Sequence, residues 1–480
     1  MVLYGKRRSG LSGRSGNETV GDRHADTMTR EIVAAVHLRA GLAGDLLRMV
    51  DTERHRALYP SAGMDLRAVL GHAAWAQRLR LRRDLCLLGI VVLIAVGAFV
   101  GVPAVWSYAP DRLGWYLAVG PLLLSAAAYG VVGRAAWGSR RRAADVRRNG
   151  TRERARRLRL PAATERRLRD LETANVVVFS GDDPFLGTGE RLGAWTHTID
   201  LGRVAGPRRG SRRTRRFTAS ELHQHLRHAL SGLDGCAGRQ VLFVHGLHAP
   251  YLDELWQPFV DGRVRRRSAP HLTVADSTIE DFVDRPEDGI RGYLWLERRG
   301  WSNQLVTSMF VRLEVVGSTL LVEMVATALG PPGRSVRLGP HLPARGWAAV
   351  GWTLQRAADD TLDLLISCPR HAAVRLAWAR RRRHRQRMLH RRLRHGKLVD
   401  YGARVAIRDV VAAADSDCHF MSADERAWFG LVTRRLSDAV VAFLARRGVD
   451  ATGFAESSPW DGNRETPPPP LAAGDDGDGT

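Results

Sequence analysis

The sequence predicts a membrane protein: a two-helix transmembrane hairpin, a cytoplasmic α+β domain with a mixed or antiparallel sheet, and a helical C-terminal extension. Three observations carry this expectation. Two uncharged apolar runs, 85–106 and 113–133, are separated by a short link. Each has the roughly 20 residues that a helix rising about 1.5 Å per residue needs to cross about 30 Å of hydrocarbon. From 175 to 345 the chain turns to short segments rich in Val, Leu and aromatics, several of them alternating, and from 346 to 448 it returns to helical spacing.

Residues 1–26 contain basic residues but no apolar core beside them, so they read as a flexible lead-in and not as a signal peptide. Residues 27–83 form a cytoplasmic helical segment. Val33, Val36, Ala40, Ala43, Leu47 and Val50 follow three- and four-residue steps, the region of Pro60 and Gly63 breaks the pattern, and a second run, 65–83, leads into the membrane.

The hairpin occupies 84–134. Arg78, Arg80, Arg82 and Arg83 precede the first apolar run, Arg134, Arg140, Arg141, Arg142, Arg147 and Arg148 follow the second, and the only charged residues of the link are Asp111 and Arg112. Arg-rich flanks stay on the cytoplasmic side, so both termini are expected there, with the chain multi-pass in the inner (plasma) membrane. Trp106, Tyr108, Trp115 and Tyr116 gather at the outer interface. Gly97 and Gly101 form a small-residue seam, and Gly114 and Ala118 repeat the spacing. Such a seam serves contact within the hairpin or a homodimer through Gly97 and Gly101. Neither run holds Asp, Glu, Lys, Arg or His, which argues against a transporter.

Residues 135–174 read as a basic juxtamembrane helix or linker drawn to anionic inner-leaflet lipid, at about 1 kcal/mol per basic residue near the surface. In the α+β domain, strands are expected at 176–180, 195–201, 240–245, 291–297, 304–316 and 319–329, with a hairpin turn at 316–319. Helices are expected at 218–230, opened by a Thr218/Glu221 capping box, and at 277–284. The extension reads as helices at 351–366, broken before Pro369, at 371–394, and at 422–447, opened by a Ser422/Glu425 capping box and stopped at Gly448. Residues 449–480 lack the apolar content to fold.

Bulk properties bound the function. A chain of 480 residues suggests two or three folded units. The formal charge is +23, yet Lys6 and Lys397 are the only lysines among 73 basic residues, a bias that a GC-rich genome also produces. Four cysteines stand far apart, which fits a reducing compartment and no disulfide framework.

Motifs for chemistry thin out on inspection. Gly181, Gly187, Gly189 and Gly193 follow the apolar run at 176–180, but Gly193 falls one residue late for a dinucleotide fingerprint, and an alternating strand pattern replaces the helix that would hold the pyrophosphate. The run VLFVHG, 241–246, has the form of a hydrolase strand and His-Gly turn, but no G-x-S-x-G accompanies it. His225 and His228 share a helix face without a nearby partner for zinc. No catalytic residue, cofactor or metal is therefore expected. Nucleic acid is not an expected partner either, because the basic runs 208–216 and 380–394 belong to no reading module.

What remains is a candidate ligand or partner surface at Asp182, Asp183, Gly187, Gly189, Trp195 and His245, and membrane-surface contact through Arg380, Arg381, Arg382 and Arg383. The expected function is a noncatalytic, membrane-tethered binding or scaffolding module for a cytoplasmic protein partner. The alternative is a membrane-bound enzyme acting on a phosphorylated or acidic substrate, with the glycine loop and nearby arginines as its site. A pocket where Asp182, Asp183 and His245 converge would favour the enzyme.

Five stretches also carry a likeness: TREIVAAVHLRAGLA, NVVVFSGDDPFLGTGERLGAW, WSNQLVTSMFVRLEVVG, DYGARVAIRDV and the later FLARRGVD. Over most of 29–450 the chain resembles uncharacterised two-span integral membrane proteins of actinobacteria. The resemblance implies the layout and the arginine bias, and no activity or site residues.

Overall fold

A computed structural model describes residues 27–51, 54–151, 160–203, 215–233, 235–256, 268–333, 336–337, 342–343, 345–395, 397–413, 418–451 and 453–454. The expected flexible N-terminus, nearly all of the tail from 449, part of the juxtamembrane linker and most of the basic run 208–216 lie outside the described residues.

The N-terminal helical segment is two helices, α1 (Thr27–Leu38) and α2 (Ala40–Asp51), interrupted at Arg39 where one run was expected. The break is held from outside: the Arg80 guanidinium donates to the carbonyls of Val36 at 2.7 Å, His37 at 3.0 Å and Arg39 at 3.1 Å. Those are the helix-end carbonyls that lose their own partners. Arg80 lies on α3 (Leu66–Val96), which Asp65 caps by accepting from the Ala68 N–H, and which runs unbroken from the segment's core into the apolar run.

Pro103 has no N–H to return to the preceding turn, and the chain takes a π turn at Gly97–Gly101 just before it, then continues as α4 (Val102–Tyr108). After the link, α5 (Leu113–Asn149) runs past the apolar stretch and through the following arginines to Gly150, whose φ is +76°. The first part of the expected linker is thus a continuation of the second apolar helix, and α6 (Ala162–Glu172) covers most of its last part. Gly97 and Gly101 make room for Tyr116 of the same chain; a Cβ at Gly101 would stand 2.2 Å from its hydroxyl. Two helices, Leu66–Tyr108 and Pro110–Asn149, are long and apolar enough to cross a membrane, and only 11% of the most apolar window of each is buried. By contrast, α1, α2, the start of α3 and the end of α5 share a core built on Ile32, Val36, Leu46, Leu70 and Val146.

The six strands form one mixed sheet in the order β1-β3-β4-β5-β6-β2. β1 (Val176–Phe179) runs parallel to β3 (Cys236–His245), and every other neighbouring pair among these, β4 (Ile290–Gly300), β5 (Leu305–Val316), β6 (Thr319–Leu329) and β2 (Glu190–Asp200), is antiparallel. β2 and β3 start earlier than expected, because Gly193, at a bulge, and Gly238 interrupt the apolar pattern without ending the ladder. The turn at 316–319 is a hairpin, with Gly317 at φ +61°.

Alternation sends side chains to two covered faces. Leu242, Val244, Leu294, Met309 and Val322 meet α7 (Ala219–Leu230), α8 (Asp276–Asp284) and α11 (His419–Arg446). Val241, Phe243, Trp295 and Phe310 form an aromatic cluster under Tyr59, Phe185 and Ala406. Thr218 caps α7 as expected, its hydroxyl accepting from the Glu221 N–H at 3.3 Å.

Two expectations in the extension are corrected. α9 (Trp347–Arg394) is one helix of 48 residues that passes through Pro369, and the short α10 (Ile407–Val411) follows it. The carbonyl that Pro369 leaves without a donor, that of Leu365, takes the Cys368 thiol at 3.3 Å. Packing of Ala357 and Cys368 on Leu87, Ile90, Ala128 and Val132 offsets the helical cost of the proline, about 3 kcal/mol. α11 begins at His419 and not at Ser422, whose hydroxyl turns back to the Cys418 carbonyl at 3.5 Å, so the Ser422/Glu425 box does not open it. It stops at Gly448, φ +82°, as expected.

Candidate functional site

β1 and β3 end side by side, with Phe179 opposite His245. The chain that returns from α9 crosses these ends. The Ala403 N–H donates to the Val178 carbonyl at 2.8 Å, the Ser180 N–H to the Ala403 carbonyl at 3.0 Å, and the Tyr401 N–H to the Gly246 carbonyl at 3.0 Å. The approach is so close that a Cβ on Gly402 would lie 2.0 Å from the Phe179 carbonyl oxygen. Only glycine fits.

This crossing fixes Asp400. Its carboxylate accepts from the Ser180 hydroxyl, from Arg56 Nη1 at 2.8 Å and from the Gly402 N–H at 2.9 Å. Burial alone would raise the carboxyl's pKa, but the hydrogen bonds from Ser180, Arg56 and Gly402 together bring it below the ordinary value. Asp400 stays ionised at neutral pH, and Arg56 is held in place.

Around this pair opens a cleft of about 1390 Å³, walled by the chain at 54–56, α6, the segment 268–271, the last turns of α9 and the segment 398–404. Seven arginines (Arg54, Arg56, Arg166, Arg167, Arg385, Arg392 and Arg404) and four histidines (His55, His271, His384 and His390) line it, against Asp170 and Asp400. Several arginines are built in. Arg167 donates to the carbonyls of Val50 at 3.0 Å and Arg56 at 2.7 Å. Burial, with repulsion from Arg54, lowers its pKa to about 10, so it remains charged at neutral pH. Arg54 holds Asp51. Guanidinium groups present fixed forks that match phosphate and carboxylate oxygens, and a concave wall of one sign concentrates anions.

None of the six expected surface residues lines this cleft. Asp182 is exposed. Asp183 accepts from the Phe185 N–H at 3.0 Å and from Arg191 at 2.9 Å, which shapes its own loop. Gly187 and Gly189 sit at φ +86° and +95°, and a Cβ would meet the Tyr59 ring at 2.5 Å and the Ala328 carbonyl oxygen at 2.0 Å. The Gly187 N–H donates to Asp409 at 2.6 Å. The loop leads into β2, so these glycines serve a connection between strands. Trp195 packs half-buried on β2, at the far edge of the sheet. His245 closes β3, its ring edge-on to Phe179 at 5.4 Å and its Nδ1 accepting from the Leu247 N–H at 3.3 Å. β1 and β3 therefore bring the loop and His245 to one end of the sheet, while Trp195 stands apart.

On α9, Arg382 pairs with Asp51 and lies 5.7 Å over the Trp378 ring, and Arg380, Arg381 and Arg383 are exposed. The next turns supply His384, Arg385 and Arg392 to the cleft. Sequence reasoning missed Arg54, Arg56, Asp400 and Arg404. The only signal pointing this way was the basic run 380–394 itself. No group of three metal-ligating side chains occurs among the described residues.

Residues 194–459, more than half of the chain, match the family model of the AbeC-like domain, and the chain belongs to that family. The matched stretch begins in β2 and takes in β3 to β6, α9 and the segment 398–404, while β1 and the two apolar helices precede it. No curated protein and no solved structure matches the chain.

Proposed function

We propose that this family member is a membrane-tethered, noncatalytic binding module that presents an arginine-lined cleft to a phosphorylated or otherwise polyanionic cytoplasmic ligand, carried by a partner protein or free. The observation that carries the reading is the cleft itself: seven arginines against two aspartates on one concave wall, with Arg56 and Arg167 fixed by hydrogen bonds before any ligand arrives. Fixed forks lose little freedom on binding, so more of the attraction is retained as affinity.

The tether is the apolar helix pair, read as a hairpin with both flanks cytoplasmic because both are Arg-rich. Its low burial supports this reading, since a soluble core helix would cover its apolar side chains. Arg380, Arg381 and Arg383, exposed beside the cleft-lining turns, suit anionic inner-leaflet lipid. A homodimer through Gly97 and Gly101 would have to displace Tyr116.

The test is a titration of the full chain, held in discs of neutral lipid, with inorganic tripolyphosphate. Saturable binding that weakens as salt rises, and that falls at least tenfold when Arg385, Arg392 and Arg404 are all replaced by glutamine, is expected. Absence of saturable binding would overturn the reading. Release of inorganic phosphate during the titration would favour the enzyme instead.

A further inference from the structure

The first half of α9 has three distinct faces. Ala357, Leu364, Leu365 and Cys368 pack on the two apolar helices, against Leu87, Ile90, Ala128 and Val132. The Tyr129 hydroxyl donates to the Leu354 carbonyl at 2.9 Å, and Ala357 lies beside Gly133. A second face is charged, with Arg356, Asp359, Asp360 and Asp363, and its Arg356–Asp360 pair closes at 2.8 Å. The third is an apolar stripe of Leu354, Ala358, Leu362, Ile366, Ala373 and Leu376, all exposed. The steps of four, and of seven and three past Pro369, keep these side chains on one line along the helix. Leu362 is 67% and Ile366 71% exposed, values that a water-facing helix with charges on its other side does not require.

We propose that this stripe lies in the headgroup–acyl boundary of the cytoplasmic leaflet, so that α9 is an interfacial helix braced across the base of the hairpin. The inference rests on the membrane reading of the hairpin. Under that reading, Leu87, Ile90, Ala128 and Val132 lie at the cytoplasmic ends of the apolar runs, and a helix touching all four is forced to the depth at which water gives way to acyl chain. A helix at that depth is stable only if the side it turns to lipid is apolar and the side it turns to water is charged. α9 divides its free surface in this way. Near the end of the stripe, Arg375 donates to Asp84 at 2.9 Å, just outside the first apolar run, and ties α9 to that level. The bilayer is preferred to a second copy of the chain because the stripe adjoins helices whose own apolar surfaces are almost wholly uncovered.

The test places spin labels, one at a time, on the full chain in lipid vesicles, with its four native cysteines replaced by alanine. Leu362→Cys and Ile366→Cys report on the stripe, Asp359→Cys on the charged face and Val92→Cys on the hairpin. Expected are oxygen-favoured accessibility at 362 and 366, at a depth of about 5–10 Å, nickel-chelate-favoured accessibility at 359, and a deeper position at 92. Position 92 deep with 362 and 366 as accessible to nickel as 359 overturns the interfacial helix and leaves the hairpin standing. Position 92 in water removes the hairpin and the inference with it. Shielding of 362 and 366 from both reagents assigns the stripe to a protein neighbour and also overturns the proposal.

Discussion

The two halves of α9 are built for opposite surroundings. From Leu354 to Leu376 the helix leans on the apolar helices and shows a second apolar stripe. From Arg380 to Arg394 it is arginine-rich, touches the rest of the protein mainly through Arg382 and the partly buried Leu389 and Leu393, and supplies a wall of the cleft. One uninterrupted helix joins them, and at about 1.5 Å per residue the turn at Leu362 stands roughly 40 Å from the turn at His390. The lesson is that one rigid element can join a basic cleft to a pair of apolar helices while its two halves serve different surroundings. If both halves play the parts proposed, damage to the first half should be read in stability and damage to the second in binding.

The largest effect is expected where the first half is anchored. Asp84 is buried and is held by Arg83 at 2.7 Å and Arg375 at 2.9 Å. Asp84→Ala leaves two guanidinium groups partly buried without their carboxylate, which should cost about 3 kcal/mol and lower the thermal midpoint of helix loss. A midpoint unchanged from the parent would mean that the first half is not pinned there.

Next comes a control in the α+β domain, away from α9. His223 on α7 is fully buried with neither ring nitrogen hydrogen-bonded, and burial, opposed by the Asp284 charge, lowers its pKa to about 4. The folded state then binds this proton less readily than the unfolded chain does. Its contribution is fully present above pH 6.5 and is lost as pH falls from there through 4. The loss approaches about 3 kcal/mol at most. His223→Leu should flatten this part of the stability–pH curve; an unchanged slope would show that the ring is protonated in the fold.

Smaller still is the effect of replacing Pro369 by alanine. Restoring an N–H to the Leu365 carbonyl should stabilise α9 by about 1 kcal/mol, seen as a raised midpoint, while tripolyphosphate affinity stays the same. A fall in stability would mean that the proline's local geometry is needed for packing on the hairpin. The smallest change concerns the cleft wall that the second half shares with the segment 398–404: Arg385, Arg392 and Arg404 changed together to glutamine should move stability by less than about 0.5 kcal/mol while weakening anion binding at least tenfold. Equal loss of both would erase the distinction between the halves.

The sequence disclosed what depends on neighbours along the chain. β6 falls on 319–329 as expected because its alternation and the glycine at 317 are local, and the Thr218 cap needs only three residues. The positions of Gly187 and Gly189 in a connection between strands were legible for the same reason. The cleft was not, because Arg56 and Asp400 are separated by 344 residues and no local pattern couples them. Nor was the continuity of α9, since the rule that proline ends a helix is local while the packing that overrides it comes from Leu87, Ile90, Ala128 and Val132. The capping box at Ser422 misled because its form is met in sequence while Cys418 already occupies the N-cap.

The most direct test of the central claim, that the second half of α9 is a ligand wall and the first half a brace, is amide hydrogen exchange on the full chain in neutral-lipid discs, with and without inorganic tripolyphosphate. Added protection is predicted at 54–56, 384–394 and 398–404, with 354–376 unchanged. Protection spread evenly along α9, or none at the cleft under saturating tripolyphosphate, would contradict it.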